Sequence, residues 1–431
     1  MSFYQPARRV AIVAGVRTPF AKAGTSLKGY SAIELGKIAV SELIQRSELD
    51  PALIDLLVFG TVVPSVLAPN IAREVALMPL LPKNVQAFSV SRACASANQA
   101  ITDAADQIVH GHADVAIAGG AESLSTVPIL HSRGFSDALV AASKAKSLGQ
   151  RLQAFAKVRP KDFVPITPAI AEPTTGESMG QSAEKMAKLN AIPRREQDEL
   201  ALASHLNAAK GTADGRLTAE IAPVYLAPRY EQAMTEDNGI RANSTLDALS
   251  ALKPVFDRRY GTVTAGNSSP LTDGGAAVLL MSEERAKDLG YTPLAFIRSY
   301  AYAAIDPGEQ LLQAPVLAAP LALKRAGLTL KDMDLVEMHE AFAAQVLSNL
   351  RGFESPYWAT RAGFAEPVGA VDRSRLNVMG GSLSIGHPFG ATGARITTTL
   401  VNELGRRGGQ FGLMTVCAAG GLGFAMVVER A

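Results

Sequence analysis

One order of elements occurs twice in this chain. After SRACASANQA, a small-residue turn carrying Cys94, come a long helical pattern, an apolar strand pattern over 114–119 and the glycine pair of GGAES. After SIGHPFGATGAR, carrying His387, come a helical pattern to about residue 404, a strand pattern over 413–416 and the glycines of CAAGG. A repeated plan of this kind predicts two related halves, each presenting one reactive side chain where a helix begins. Further strand patterns over 10–15, 53–63, 85–90 and 333–338 alternate with helical spacing over 31–46, 95–109 and 341–350. Such alternation indicates an α/β protein with buried, largely parallel sheet.

Between the halves the alternation fades. Over about 123–243 Pro, Lys and Arg become frequent, which predicts an inserted lobe. Within it, 131–165 holds seven Lys/Arg, with Leu148, Leu152 and Phe155 at helical spacing. A basic amphipathic segment suits a membrane surface or a partner; the plainer alternative is a solvated helix on a lid. With 431 residues the chain exceeds one ordinary core. A net charge of +2 gives no global field for nucleic acid. Two cysteines cannot build a disulfide framework, and with no signal-like or membrane-spanning apolar run a reducing, cytoplasmic setting is expected.

Both cysteines sit where a thiol has chemistry to do. A cysteine attacks as thiolate, and a helix start aims N–H groups and the positive dipole end at the sulfur of Cys94. The flanking Ala93, Ala95, Ser96 and Ala97 are small and leave room for an acyl group. His387, held in Gly-His-Pro-Phe-Gly, suits a general base, with Pro388 placed for the first turn of the next helix. Cys417, ahead of Ala418, Ala419, Gly420 and Gly421, suits a second acid/base thiol. His339 in MHEAFAAQ, beside Glu340, suits a donor to a developing oxyanion. Each has a purely structural alternative as a buried thiol or packed ring. His110, His112 and His205 lack companions and read as structural. Without CxxC, HExxH or a carboxylate cluster no resident metal is expected, and the glycine-rich stretches lack the order of a dinucleotide site.

The ordered segments VRTPF, SRACASA, AGGAESLS, MGQSAEKMA, GTVTAGNSSPLTDGGAA, MHEAFAAQ, GGSLSIGHPFGATGAR and VCAAGGLGFAMV resemble the thiolases over nearly the whole chain. The resemblance implies a thiolase fold: two related halves with mixed five-stranded sheets in a five-layered αβαβα arrangement, plus an inserted loop domain that holds coenzyme A. The implied boundaries are 1–122 with 244–286 for the N-terminal half, 123–243 for the insertion and 287–431 for the C-terminal half. By position, Cys94 would be the acylated nucleophile, His387 its activator and Cys417 the group moving a proton at C2 of acetyl-CoA. Backbone donors at Cys94 and Ala419 would form an oxyanion hole. Coenzyme A, as co-substrate rather than bound cofactor, would meet Met179, Arg241, Ser269, Ala341 and Phe342. Most thiolases have asparagine where this chain has His339, and often histidine where it has Ser178. The HEAF variant and the long basic insertion resemble the β-subunit of the multienzyme fatty-acid β-oxidation complex. That implies a homodimer within a heterotetramer of two α and two β subunits, the α-subunit carrying hydratase and dehydrogenase activities. A biosynthetic acetoacetyl-CoA thiolase and a non-catalytic scaffold of the same fold are the alternatives.

Overall fold

The structure is a computed structural model that describes residues 8–166 and 170–431. The first seven residues of the N-terminal stretch and residues 167–169 of the expected insertion lie outside them.

Nine strands form one continuous path: β1 (Val10–Arg17), β2 (Leu56–Gly60), β3 (Gln86–Val90), β4 (Val115–Glu122), β5 (Thr272–Ser282), β6 (Ala295–Ala304), β7 (Leu335–Met338), β8 (Phe411–Ala418) and β9 (Leu422–Arg430). Their spatial order is β7-β8-β9-β6-β1-β5-β4-β2-β3. The N-terminal half supplies β3-β2-β4-β5-β1. The C-terminal half supplies β7-β8-β9-β6, with a one-residue parallel bridge from Val336 to Leu376 where a further edge strand would lie. The halves join edge to edge through Ala11–Phe296 and Ile12–Ala295.

The expectation of a largely parallel sheet is corrected. Only β2–β3, β2–β4 and β7–β8 run parallel. The centre, β4–β5–β1 and β6–β9–β8, is antiparallel. For β8 and β9 the reason is local: the short turn through Gly420 and Gly421 joins them as a hairpin, and strands joined so closely can only be antiparallel.

The principal helices are α1 (Ala32–Arg46), α2 (Ile71–Ala76), α3 (Ser96–Val109), α4 (Met179–Leu189), α5 (Arg194–Ala213), α6 (Pro315–Ala326), α7 (Ala343–Phe353) and α8 (Thr392–Arg407). Ser31 opens α1 with a capping box to Glu34, which satisfies two otherwise orphaned N–H groups. Three cores explain the layering. One packs α1 and α2 on the outer face of the N-terminal sheet. A second packs α3 and α8 between the two sheets. A third packs α6 and α7 on the outer face of the C-terminal sheet. The result is five layers, with α3 and α8 buried from both sides. Their N-terminal turns meet because Gly393 has no Cβ, which would lie 2.3 Å from Asn98 Oδ1.

Of the expected insertion, residues 127–171 form a compact unit of their own, while 172–243 belong to the main unit. The small unit has helices Arg133–Lys144 and Leu148–Ala154. Phe135 is its aromatic hub, packing on His131, Phe155 and Phe163. Leu139, Val140, Leu148, Leu152 and Val164 are exposed. None of the described helices is long and apolar enough to cross a membrane.

Candidate active site

Three strand ends and two helix starts converge on one point. Cys94 follows β3 and stands just ahead of α3, whose N-cap is Ala95. Ala93 takes a left-handed φ of 45°, a tight elbow that turns the sulfur out of the strand line. His339 directly follows β7, its N–H bonded to Thr415 of β8 at 2.9 Å. Cys417 lies near the end of β8 and is fully buried, whereas Cys94 is half-buried. Residues at the carboxyl ends of neighbouring parallel strands are where open α/β sheets place ligands.

His387 sits in the turn before α8. Pro388 is not in the first turn of that helix, as expected from the sequence; its carbonyl accepts from the N–H groups of Ala391 and Thr392 and closes the turn ahead of it. The turn is pressed onto the N-terminal half: a Cβ at Gly120 would lie 1.8 Å from the Gly390 carbonyl oxygen. Buried Glu122 ties the two together, accepting from Gly390 N at 3.0 Å, Val62 N at 2.9 Å, Val63 N at 3.0 Å and Thr61 Oγ1 at 3.0 Å.

The reactive atoms are close. One ligand-capable atom each of Cys94, His339 and His387 lie within 4.8 Å of one another. The two rings stand 4.1 Å apart, centroid to centroid, at 48°. The N–H groups of Ala419 and of Cys94 itself lie close enough to the Cys94 sulfur to favour its thiolate against burial. Left-handed Gly420 (φ 83°) and Gly421 (φ 70°) make the turn that delivers Ala419, and Glu172 accepts the Gly420 N–H at 2.9 Å.

Hydrogen bonding assigns the proton on each ring. His387 Nδ1 lies 2.7 Å from Thr392 Oγ1, and that hydroxyl donates to the Pro388 carbonyl at 3.0 Å. With its hydrogen committed, Thr392 can only accept, so Nδ1 carries the proton and Nε2 is a bare lone pair. His339 Nδ1 lies 2.9 Å from Ser382 Oγ, which accepts from Arg395 Nη2 at 3.3 Å. Ser382 has no other acceptor for its hydroxyl hydrogen among the described residues, so donation to Nδ1, with the His339 proton on Nε2, satisfies both groups. Both Nε2 atoms are buried without a protein partner among the described residues. One ring thus offers a base and the other a donor.

All four groups are neutral. Burial pushes the Cys94 thiol up to about 12 against the pull of the Ala419 and Cys94 N–H groups. Burial, helped by the Arg395 charge, brings His387 down to about 3. Burial, with His387 and Arg395, holds His339 well below its ordinary value. Burial and the neighbouring Cys94 hold Cys417 well above the ordinary thiol range.

Glu340 does not support His339, contrary to expectation. Its carboxylate faces the opposite way and accepts from Ser204 Oγ at 2.7 Å, Asn377 Nδ2 at 2.7 Å and Leu383 N at 3.2 Å. A cavity of about 370 Å³ bordered by Glu199, Ser204, Glu340 and Arg373 lies on that side, without Cys94, His387 or Cys417 in its wall. Among the expected coenzyme A contacts, Met179, Ala341 and Phe342 join Cys417 in one apolar cluster. Ser269 donates its N–H to the Ala341 carbonyl at 3.0 Å. Arg241 is exposed; its charge is felt at Lys22 and His205, and its N–H bonds His205 Nδ1 at 3.2 Å. Sequence reasoning missed Thr392, Ser382, Arg395 and Glu122.

A thiol, an imidazole base, an imidazole donor and a second thiol at the seam of two related halves define machinery for acyl-thioester chemistry. The chain belongs to the thiolase family of acyltransferases: residues 10–284 match its N-terminal domain and 291–430 its C-terminal domain. It is 53% identical over 422 residues to a 3-ketoacyl-CoA thiolase of Colwellia psychrerythraea, covering 98% of this chain and 97% of that protein. Among solved structures, human mitochondrial 3-ketoacyl-CoA thiolase in complex with CoA superposes with a TM-score of 0.84 at 33% identity, covering 100% of both chains. The Bacillus anthracis acetyl-CoA acetyltransferase does so with 0.83 at 33%, covering 98% of this chain and 99% of that one.

Proposed function

We propose that this chain is a 3-ketoacyl-CoA thiolase, cleaving a 3-ketoacyl-CoA with coenzyme A to acetyl-CoA and a shortened acyl-CoA. The observation that carries this reading is the approach of Cys94, His387 and His339 within 4.8 Å, with Ala419 N–H on the sulfur. His387 Nε2 takes the Cys94 proton as sulfur attacks the C3 carbonyl. The C2–C3 bond breaks, the electron pair goes to C2, and Cys417 delivers its proton there, releasing acetyl-CoA. Coenzyme A then gives its thiol proton to the Cys417 thiolate and attacks the acyl-Cys94 carbonyl. Cys94 leaves and recovers its proton from His387. The N–H groups of Cys94 and Ala419 serve the tetrahedral oxyanion, and His339 Nε2–H serves the enolate-like thioester oxygen. Both rings are neutral beforehand, so charge develops only during reaction, where fixed donors contribute most.

The 3-ketoacyl-CoA thiolase relative at 53% identity favours this reading over acetoacetyl-CoA condensation; fold likeness does not discriminate, with TM-scores of 0.84 and 0.83 to the two enzymes. Rates across 3-ketoacyl-CoA chain lengths test it: activity confined to the four-carbon substrate would support condensation. Mass spectrometry after brief exposure to acyl-CoA tests the scaffold alternative, which requires an unmodified Cys94. We further infer a cytoplasmic role in fatty-acid β-oxidation, as the β-subunit partner of a hydratase/dehydrogenase α-subunit. The exposed apolar side chains and basic residues of the 127–171 unit support contact with that partner or a membrane surface. Co-purification from the native source would identify the partner. Binding to anionic vesicles that is unchanged after Lys144, Lys146 and Arg151 are neutralised would exclude the basic segment as the membrane contact.

A further inference from the structure

We infer that Cys94, His339 and His387 form a zinc trap: in the unacylated protein the three side chains bind one Zn²⁺, which blocks the nucleophile. No metal motif exists in the sequence, since the ligands come from α3's elbow, the end of β7 and the turn before α8; the fold assembles them.

Three observations carry the inference. The donor atoms, one sulfur and two ring nitrogens, lie within 4.8 Å of one another. Zinc bonds of about 2.0–2.3 Å set tetrahedral ligands about 3.5 Å apart, so a contraction of at most about 1.3 Å completes the site. Second, both Nε2 atoms are buried with no protein partner among the described residues, while both Nδ1 atoms are engaged behind them. Metal-binding histidines are held in this way, one nitrogen anchored by a neighbour and the other free for the ion. Third, the donor set is soft and imidazole-rich, which selects zinc over magnesium or calcium. The buried Arg395 guanidinium opposes a cation; the thiolate formed on binding offsets it.

The step balances simply. Cys94 loses its thiol proton to solvent, the sulfur and both Nε2 lone pairs bond Zn²⁺, and water takes the fourth position. The His339 proton moves from Nε2 to Nδ1, which requires the Ser382 hydroxyl to turn and accept. An acyl group on Cys94 removes the sulfur donor, so substrate and zinc exclude each other. Asparagine at position 339 would leave only two ligands.

Titration calorimetry of the full-length protein with ZnCl₂ tests this without reference to turnover, so it stands or falls separately from the ketoacyl-CoA assays. The expected result is one tight Zn²⁺ per chain, abolished by carboxamidomethylation of Cys94. Loss of an outer partner alone costs a metal site roughly 10–100-fold, so His339→Asn is expected to weaken binding by at least that much. With Co²⁺ as probe, a thiolate-to-metal charge-transfer band should appear and vanish on alkylation. The alkylated wild-type protein controls for variants that fold poorly. Zinc affinity unchanged by alkylation, or a charge-transfer band retained in His339→Asn at unchanged affinity, would overturn the trap.

Discussion

Thr392→Val removes one oxygen and leaves the shape of the site nearly unchanged. In the native protein Thr392 Oγ1 accepts the His387 Nδ1 proton at 2.7 Å and passes its own hydrogen to Pro388 at 3.0 Å. Valine leaves the buried Nδ1–H without an acceptor, at a cost of about 1–3 kcal/mol. The ring escapes that cost by moving its proton to Nε2, where it faces the Cys94 sulfur and can no longer accept from it. At about 1.4 kcal/mol per factor of ten, the productive tautomer falls to roughly one part in 10–100. We therefore expect kcat/KM for a 3-ketoacyl-CoA to drop roughly 10–100-fold, within the range that general acid–base catalysis contributes. The KM for coenzyme A should hold, and Thr392→Ser should recover most of the rate. Initial-rate kinetics on the three proteins, with thermal unfolding as a check on folding, decide the matter. A valine variant within about twofold of wild type would refute the assignment of the His387 proton.

Other consequences are as direct. Because burial pushes the Cys94 thiol up to about 12 and His387 down to about 3, no resting thiolate–imidazolium pair forms; the rate of alkylation by iodoacetamide should climb with pH without levelling through about pH 10, and a plateau near neutrality would contradict it. Gly120→Ala drives a methyl group into the Gly390 carbonyl, a backbone atom with no rotamer to yield; overpacking of this kind costs typically 1–3 kcal/mol, and the His387 turn should shift enough to lose most activity while the protein still folds, as rates and circular dichroism would show. Arg17→Met leaves buried Asp237 without the bidentate partner it now has at 2.6 and 2.8 Å; about 3–5 kcal/mol of stability should be lost in guanidinium denaturation, and a loss under about 1 kcal/mol would mean that the pair is not essential to the buried carboxylate.

Cys94, His387, His339 and Cys417 were legible because each sits near the end of a strand or ahead of a helix, three of them among small residues, and such punctuation survives in one dimension. Thr392 stands only five places from His387, yet nothing in a string distinguishes a threonine that fixes a tautomer from one that fills the first turn of a helix. Glu122 was visible in GGAES but not its task, since its partners Val62, Val63 and Gly390 come from two distant loops. Strand direction was misread for a similar reason: apolar periodicity marks a buried strand but not its sense. The Glu340 error is the most instructive. Adjacency suggested that Glu340 would assist His339, but the two side chains part just beyond β7: His339 is held by Ser382, while Glu340 accepts from Ser204, Asn377 and Leu383. Ser382, the residue that does hold His339, stands 43 positions away and next to Leu383. Glu340 therefore acts on the histidine indirectly, by fixing the segment that carries Ser382, and support for a catalytic group at the end of a strand is better sought across the fold than beside it in the chain.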